Sequence, residues 1–274
     1  MNGTPQNGPN LMWLWNDFIK NIPLPGSLSI TDEAAGFSVN NTQTEQVSQV
    51  CRTSSKVGIK YRFYLGPQYY SPRIFAVLNH NLTGGTFDIN SYTWAGYGGP
   101  KTKIATVPVR ALDMYHWQIA NPASQMYWEF DFTNSTTPAS YIEIGRCMCY
   151  HGYDIRGANI EDFRVIRRYE FRNIVNTTAH GVRWVHKVAE KIEHFNLTWG
   201  RRAGDSLKTD LMDLYEKTHG DAHPFLYVPS QLSTDCYYVY LLSPIADFSA
   251  YFDVDDEQTG DVSIEFAEDI RGLA

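Results

Sequence analysis

Cysteine is scarce in this chain, and the few cysteines form no recognisable framework. The 274 residues contain four of them, at irregular spacing: Cys51, Cys147, Cys149 and Cys236. Disulfide-stapled secreted domains carry dense, evenly paired cysteines. We therefore expect these thiols to be reduced and buried, in a protein made in a cytoplasm.

Long apolar runs and excess positive charge are missing as well. The longest apolar stretch, 237–252, is interrupted by Ser243, Pro244 and Asp247, whereas a membrane helix needs about 20 consecutive apolar residues. The apolar run 11–15 is too short for a secretory signal. Lys and Arg total 23 against 30 Asp and Glu, a net charge of −7. Nucleic-acid binders need clustered basic residues, so we expect neither a membrane span nor a nucleic-acid partner.

Catalytic motifs are absent with one weak exception. The sequence has no P-loop, no glycine-rich dinucleotide fingerprint, no zinc-protease motif and no nucleophile elbow. Residues 204–207 spell Gly-Asp-Ser-Leu, a serine-esterase signature, but no Asp-x-x-His follows that could activate Ser206. A helix N-cap at Asp205 or Ser206 explains the same residues. We predict a protein that is not an enzyme and holds no cofactor.

Aromatic residues are abundant, and their spacing predicts β-structure. The chain has 18 Tyr, 14 Phe and 7 Trp, residues that suit strands, sugar-stacking surfaces and protein interfaces. Segment 58–65 alternates, placing Ile59, Tyr61, Phe63 and Leu65 on one face. Further short strands are predicted at 73–78, 86–89, 125–132 and 141–150. This pattern is typical of a β-sandwich or barrel.

The second half is predicted to contain strands and one inserted helix. A domain boundary is expected in the Gly-, Asp- and Asn-rich segment 152–159. The helix begins after the cap at 205 or 206, buries Leu207, Leu211, Leu214 and Tyr215 on one face, and ends before Gly220. Segment 182–199 fits either a helix or two strand arms, and its β-branched and aromatic content favours strands.

Two groups of residues could in principle bind metal. Cys147, Cys149 and His151 share one face of a predicted strand, about 6.5 Å apart, which is too wide for one zinc ion unless the chain bends. Small apolar residues on a buried strand face are the favoured interpretation. The acidic loop from Asp253 to Asp261 lacks EF-hand spacing, so a solvated turn is favoured over calcium binding or the docking of a basic partner.

The candidate contact residues are aromatic and acidic. Tyr69, Tyr70, Trp94 and Tyr97 lie in or beside loops of the first half, and Asp255 and Asp256 lie in the acidic loop. Loop aromatics can stack on sugar rings, anchor a protein partner, or fill the ends of a sandwich. We predict these six residues as possible interface or glycan contacts.

Several segments resemble proteins of tailed bacteriophages. After the strand that ends Tyr64-Leu65-Gly66 comes segment 73–83, with the sequence Arg-Ile-Phe-Ala-Val-Leu-Asn-His-Asn-Leu-Thr. Together with segments 141–145 and 10–17, it resembles galactose-binding-like (discoidin-type) jelly-roll domains. Segments 180–184, 195–199 and 224–229, with the capped helix, resemble the barrel-plus-helix domains of tail and baseplate subunits. The resemblance implies an all-β protein with a jelly-roll β-sandwich at 1–155 and a β-barrel or sandwich with one α-helix at 156–274.

The same resemblance implies a function. It indicates a virion structural protein of the tail tip, baseplate or adaptor, assembled in the host cytoplasm. Its partners would be copies of itself, other tail proteins and fibres, and no catalytic residue is carried over. The alternative is a carbohydrate-binding module used in host-surface adhesion, with glycan contacts from Trp94 or Tyr97.

Overall fold

A computed structural model describes residues 12–14, 17, 19, 22, 27–46, 48–66, 71–93, 96–110, 114–118, 124–150, 163–177, 183–199, 207–220, 222–229, 236–242 and 262–268. This part of the chain holds sixteen β-strands, one α-helix and short 3₁₀ turns at Val39–Gln43 and Gly96–Gly98. The strands of the first half are β1 (Met12–Leu14), β2 (Leu28–Ile30), β3 (Cys51–Arg52), β4 (Lys60–Tyr64), β5 (Ile74–His80), β6 (Gly84–Tyr92), β7 (Lys101–Pro108), β8 (Met114–Gln118), β9 (Tyr127–Asp131), β10 (Ser135–Thr136) and β11 (Glu143–Tyr150). The remaining elements are β12 (Phe163–Thr177), β13 (Arg183–Trp199), α1 (Leu207–Lys217), β14 (Phe225–Val228), β15 (Tyr237–Leu241) and β16 (Val262–Glu268).

The strands form three antiparallel sheets. We call them the outer sheet (β10-β6-β9-β4-β2, with β7 added to β6), the middle sheet (β3-β11-β5-β8) and the C-terminal sheet (β1-β14-β15-β16-β13-β12). The prediction of an all-β fold is confirmed, and the described residues contain one α-helix, as predicted.

The outer and middle sheets enclose an aromatic core. Strand β4 alternates as the sequence predicts, and Tyr61 and Phe63 are completely buried between the sheets. The ring of Phe63 lies edge-on to Phe130 of β9 at 5.3 Å between centroids, and Phe75 of β5 meets Trp128 at 5.5 Å. Each such ring contributes about 1.5–3 kcal/mol by leaving water, so this layer holds the sandwich together.

The middle sheet is covered on both faces. Cys147 and Cys149 of β11 point into the sandwich core. The alternate residues Met148 and Tyr150 pack in a second apolar cluster that includes Tyr238 of β15. The protein is therefore three sheets deep at this point, with the C-terminal sheet packed against the outside of the sandwich.

The C-terminal sheet is dominated by a long hairpin. Strands β12 and β13 pair from Phe163 opposite Trp199 to Thr177 opposite Arg183, with an irregularity between Phe171 and Asn173. Strand β13 settles the ambiguous segment 182–199 in favour of strand, as its β-branched and aromatic content indicated.

Helix α1 matches its prediction over the described residues. Leu211 and Leu214 are completely buried. The chain leaves the helix through Gly220, whose φ of 73° is left-handed and whose N–H donates to the carbonyl of Tyr215 at 2.9 Å. This is the glycine-terminated ending that the sequence indicated. The predicted N-cap residues Asp205 and Ser206 lie outside the described residues.

The predicted division of the chain stays a prediction, because the boundary segment 152–159 lies outside the described residues. Strand β1, from the first half, nevertheless pairs with β14 of the C-terminal sheet. None of the described helical segments has the length and apolarity that crossing a membrane requires.

Candidate functional site

The outward face of the outer sheet carries ordered rows of polar and aromatic side chains. Strand pairing places Arg62 of β4 opposite Glu129 of β9, and Glu129 opposite Asn90 of β6. In the next row, Tyr127 lies between Tyr64 and Tyr92. These positions alternate with the core residues of the same strands, so the fold that buries Phe63 and Trp128 also lines up this face.

Glu129 is the centre of the first row. Its side chain is 0% exposed, yet it is surrounded by donors. Arg62 Nε donates to Oε2 at 2.8 Å, while Asn90 Nδ2 and Lys101 Nζ lie 3.3 and 3.4 Å from Oε1. A buried carboxylate requires such compensation. Glu129 therefore holds the two cations in place at the rim, where the Arg62 and Lys101 side chains are 32% and 39% exposed.

Tyr97 lies over these rows. It comes from the 3₁₀ turn at Gly96–Gly98, and its ring meets Tyr92 and Tyr127 edge-on at 5.2 and 5.6 Å. The Arg62 guanidinium is 4.8 Å from the Tyr97 ring centroid, a cation–π distance. Tyr64 and Tyr127 stack at 4.7 Å. We call Arg62, Tyr64, Tyr92, Tyr97, Tyr127 and Glu129 the Tyr97 cluster.

Hydrogen bonding is incomplete around this cluster. Asn90 Oδ1, Thr93 Oγ1, Tyr97 Oη and Gln125 Oε1 are buried and have no hydrogen-bond partner among the described residues. Thr93 directly follows Tyr92, and Gln125 precedes Tyr127 by two residues. Buried polar atoms are nearly always bonded, so these unbonded atoms, all on or next to strands β6 and β9, make this part of the outer sheet the candidate site for a bound water or ligand.

The hydroxyls of Tyr92 and Tyr97 stay protonated at neutral pH. Burial and a hydrogen bond to Glu129 raise the pKa of Tyr92 to about 12. Burial likewise raises the pKa of Tyr97. At the surface the cluster presents the partly exposed rings of Tyr64, Tyr97 and Tyr127 and the Arg62 guanidinium, a combination that can bind a neutral polyhydroxylated ligand.

Only one of the six predicted contact residues can be placed. Tyr97 belongs to the cluster, whereas Tyr69, Tyr70, Trp94, Asp255 and Asp256 lie outside the described residues. Sequence reasoning missed Arg62 and Glu129, although a signal existed. The residues that alternate with the core in β4 and β9 are Arg62-x-Tyr64 and Tyr127-x-Glu129, which places charge and rings on one outward face.

The cysteines are core residues, as the favoured interpretation stated. Cys147 and Cys149 are 0% exposed, and burial raises the pKa of both thiols. Burial, with the Glu33 carboxylate, raises the pKa of Cys51 to about 12. His151 lies outside the described residues, and within the described ranges no group of three or more His, Cys, Asp or Glu residues could hold a metal ion.

No protein-family description matches this chain, and no curated protein matches it. Among solved structures, the family 32 carbohydrate-binding module of Clostridium perfringens NanJ, in complex with galactose, aligns at a TM-score of 0.40 and 10% identity, over 51% of this chain and 98% of that one. The family 32 module of Streptococcus pneumoniae EndoD aligns at 0.37 and 15% identity, over 47% and 97%. A chitosan-binding module from Paenibacillus sp. IK-5 aligns at 0.39 and 12% identity, over 47% and 97%.

These structural neighbours are carbohydrate-binding modules, and none of the three is a phage tail protein. The role as a tail subunit, the location in the virion and the tail-protein partners stay predictions from the sequence resemblance.

Proposed function

We propose that the sandwich of outer and middle sheets is a carbohydrate-binding module and that Arg62 and the partly exposed tyrosines of the Tyr97 cluster contact the sugar. The observation that carries this proposal is the arrangement of tyrosine rings beside Arg62, whose side chain is 32% exposed and is held in place by Glu129.

A sugar ring has an apolar C–H face and a rim of hydroxyl groups. Tyrosine rings match the apolar face, and their hydroxyls bind the rim. The stacked pair Tyr64–Tyr127 is partly exposed and supplies the flat surface. Arg62 and Lys101 supply donors for sugar hydroxyls, and they need no rearrangement because Glu129 fixes both.

The role proposed here is binding without chemistry. Glu129 is committed to Arg62, Lys101, Asn90 and Tyr92, so it acts as a positioning residue for the two cations. The sequence resemblance to tailed-bacteriophage proteins fits one use of such a module, which is adhesion to a host surface.

The test is a broad glycan array that includes galactosides, N-acetylgalactosaminides and chitooligosaccharides, followed by titration calorimetry of each hit. Tyr97→Ala and Tyr64→Ala should each weaken binding by about tenfold, because each removes one ring contact. Tyr240→Ala, a half-buried tyrosine of the C-terminal sheet, is the matched control and should bind as the parent protein does. An array without hits, or titrations that the two cluster substitutions leave unchanged, would refute the proposal.

A further inference from the structure

Strand β12 forms a long edge of the C-terminal sheet. Its 15 residues pair with β13, and with no other described strand. Residues 166–170 are all exposed, on both faces of the strand, and Ile166 and Tyr169 are 48% and 51% exposed. An edge of this kind is a template for another strand.

The edge has neither a bulge nor a proline over nine residues. Residues Phe163 to Phe171 pair with β13 without interruption, and the irregularity follows only at Phe171/Asn173. This stretch contains no proline. Bulges and prolines are two of the devices that keep an exposed edge from pairing, and charged side chains are a third. Here the charged residues Arg167, Arg168 and Glu170 provide the remaining protection, so this edge pairs best with a strand whose charges complement them.

We propose that β12 pairs antiparallel with β12 of a second copy of this chain, so that two six-stranded sheets join across a two-fold axis perpendicular to them. In such a pair each residue of one copy lies opposite a residue of the other copy whose side chain is on the same face of the sheet. The residue on the two-fold axis lies opposite the same residue of the second copy. The proposal then depends on which residue that is.

Within the exposed stretch 166–170, which precedes the irregularity after Phe171, the charges favour Tyr169 as the central residue. If Arg167, Arg168 or Glu170 lay on the two-fold axis, its charge would lie directly opposite the same charge of the second copy, which destabilises a strand pair. Centring on Ile166 would place Arg168 opposite Arg164. Centring on Tyr169 pairs its two copies and sets Arg168 opposite Glu170 twice, which is the charge complementarity that identifies a second copy as the partner.

The contacts within one chain leave Arg168 suited to this role. Arg167 is already compensated, because its Nε donates to Glu193 Oε2 at 2.5 Å and its Nη2 donates to the Tyr237 hydroxyl. The ion pairs at this end of the hairpin join Arg167 to Glu193 and His194 to Glu170, and among the described residues none of them involves Arg168. Glu170 lies 3.0 Å from His194 Nε2, and its side chain remains 46% exposed to a second partner.

The first test is charge reversal in the full chain, measured by sedimentation velocity over a range of concentrations. The parent protein should be a dimer, and Arg168→Glu or Glu170→Arg should raise the dimer dissociation constant by about tenfold or more. The double variant should restore dimerisation, because it re-creates both pairs with the signs exchanged. Arg73→Glu and Glu216→Arg, exposed residues elsewhere in the fold, are the matched controls and should leave the dimer intact.

The second test fixes the register. Tyr169→Cys should form an intermolecular disulfide rapidly under mild oxidation, because directly paired Cα atoms lie about 4.5–5.5 Å apart, within reach of a disulfide. Val57→Cys, at a site 75% exposed, measures random collision. A monomeric parent protein, a double variant that fails to dimerise, or equal cross-linking at positions 169 and 57 would each overturn the proposal. These outcomes do not affect the glycan proposal, whose residues lie on the outer sheet.

Discussion

Arg146 and Asp17, 129 residues apart in sequence, form a completely buried ion pair. Arg146 Nη2 lies 3.2 Å from Asp17 Oδ2, and each side chain is 2% exposed. Asp17 Oδ1 accepts from the backbone N–H groups of Ile19 and Cys149, and Arg146 Nη1 donates to the Tyr238 hydroxyl. The pair therefore joins the N-terminal segment, the middle sheet and the C-terminal sheet in one network.

Asp17→Asn should destabilise the protein by about 3–5 kcal/mol, because it leaves the buried Arg146 guanidinium without its counter-charge. Urea unfolding at pH 7 measures this. The exposed pair Arg52–Glu143, at 2.7 Å with side chains 30% and 23% exposed, is the comparison, and Glu143→Gln should cost at most about 1 kcal/mol. Asp17→Leu combined with Arg146→Met should be more stable than Asp17→Asn, since it leaves no buried charge. Equal losses for Asp17→Asn and Glu143→Gln would contradict this interpretation.

Tyr61 and Tyr97 should respond differently to loss of their hydroxyl groups, although both hydroxyl oxygens are buried. The Tyr61 hydroxyl lies 2.8 Å from Thr42 Oγ1, so Tyr61→Phe should cost about 1 kcal/mol. The Tyr97 hydroxyl has no partner among the described residues, so Tyr97→Phe should leave the free energy of unfolding unchanged or raise it slightly. Chemical denaturation of both variants measures the difference, and a larger loss for Tyr97→Phe would show that its hydroxyl is bonded within the fold.

Acid should destabilise the outer sheet through Asp88 and Asp131. Burial raises the pKa of both carboxyls, but bonds from Thr106 and Lys103 to Asp88, and from Thr133 and Lys101 to Asp131, outweigh it and lower the pKa. As the pH falls, the unfolded chain therefore takes up protons at these two carboxylates at a higher pH than the folded protein does. The stabilisation is complete above the ordinary carboxyl pKa of about 3.9 and is lost as pH falls through the lowered values.

The measurement is the free energy of unfolding from pH 6 down to about pH 3, across that transition. The double variant Asp88→Asn, Asp131→Asn should be less stable at neutral pH and should lose less stability on acidification. Parallel curves for the parent and the double variant would show that other carboxyl groups carry the acid sensitivity.

Gly85 should tolerate no side chain. Its φ is 80°, and a Cβ there would lie 2.2 Å from the carbonyl oxygen of Asn134 in the turn before β10. Gly36 has a similar φ of 83° but open space around it. Gly36→Ala should cost about 1–2 kcal/mol from backbone strain alone, and Gly85→Ala should cost clearly more. Thermal unfolding of the two variants compares them, and equal shifts in melting temperature would refute the steric argument.

Residues with a strong local pattern were predictable. In segment 58–65 every second residue is apolar, and in α1 the leucines recur at helical spacing, so a single favourable conformation buries each set. Strands β7 and β8 were missed. In β7 only Val107 is fully buried, so this edge strand carries almost no apolar period.

The candidate site was predictable only in part. Tyr97 was identified as an aromatic loop residue, but its neighbours Arg62 and Glu129 are 67 residues apart. No local pattern in the sequence indicates that β4 and β9 are adjacent or sets their register. The outward positions of a strand also look the same whether solvent or a ligand covers them.

The sequence by itself determined the all-β class, the helix over 207–217, the buried cysteines and the strand character of 183–199, because each depends on a period or composition within one segment. Only the tertiary structure decided that the middle sheet is covered on both faces, that Glu129 is enclosed by Arg62, Lys101 and Tyr92, and that β12 is an edge among the described strands. Those features depend on which strands meet and in what register, and long-range pairing is fixed by the packing of the whole chain.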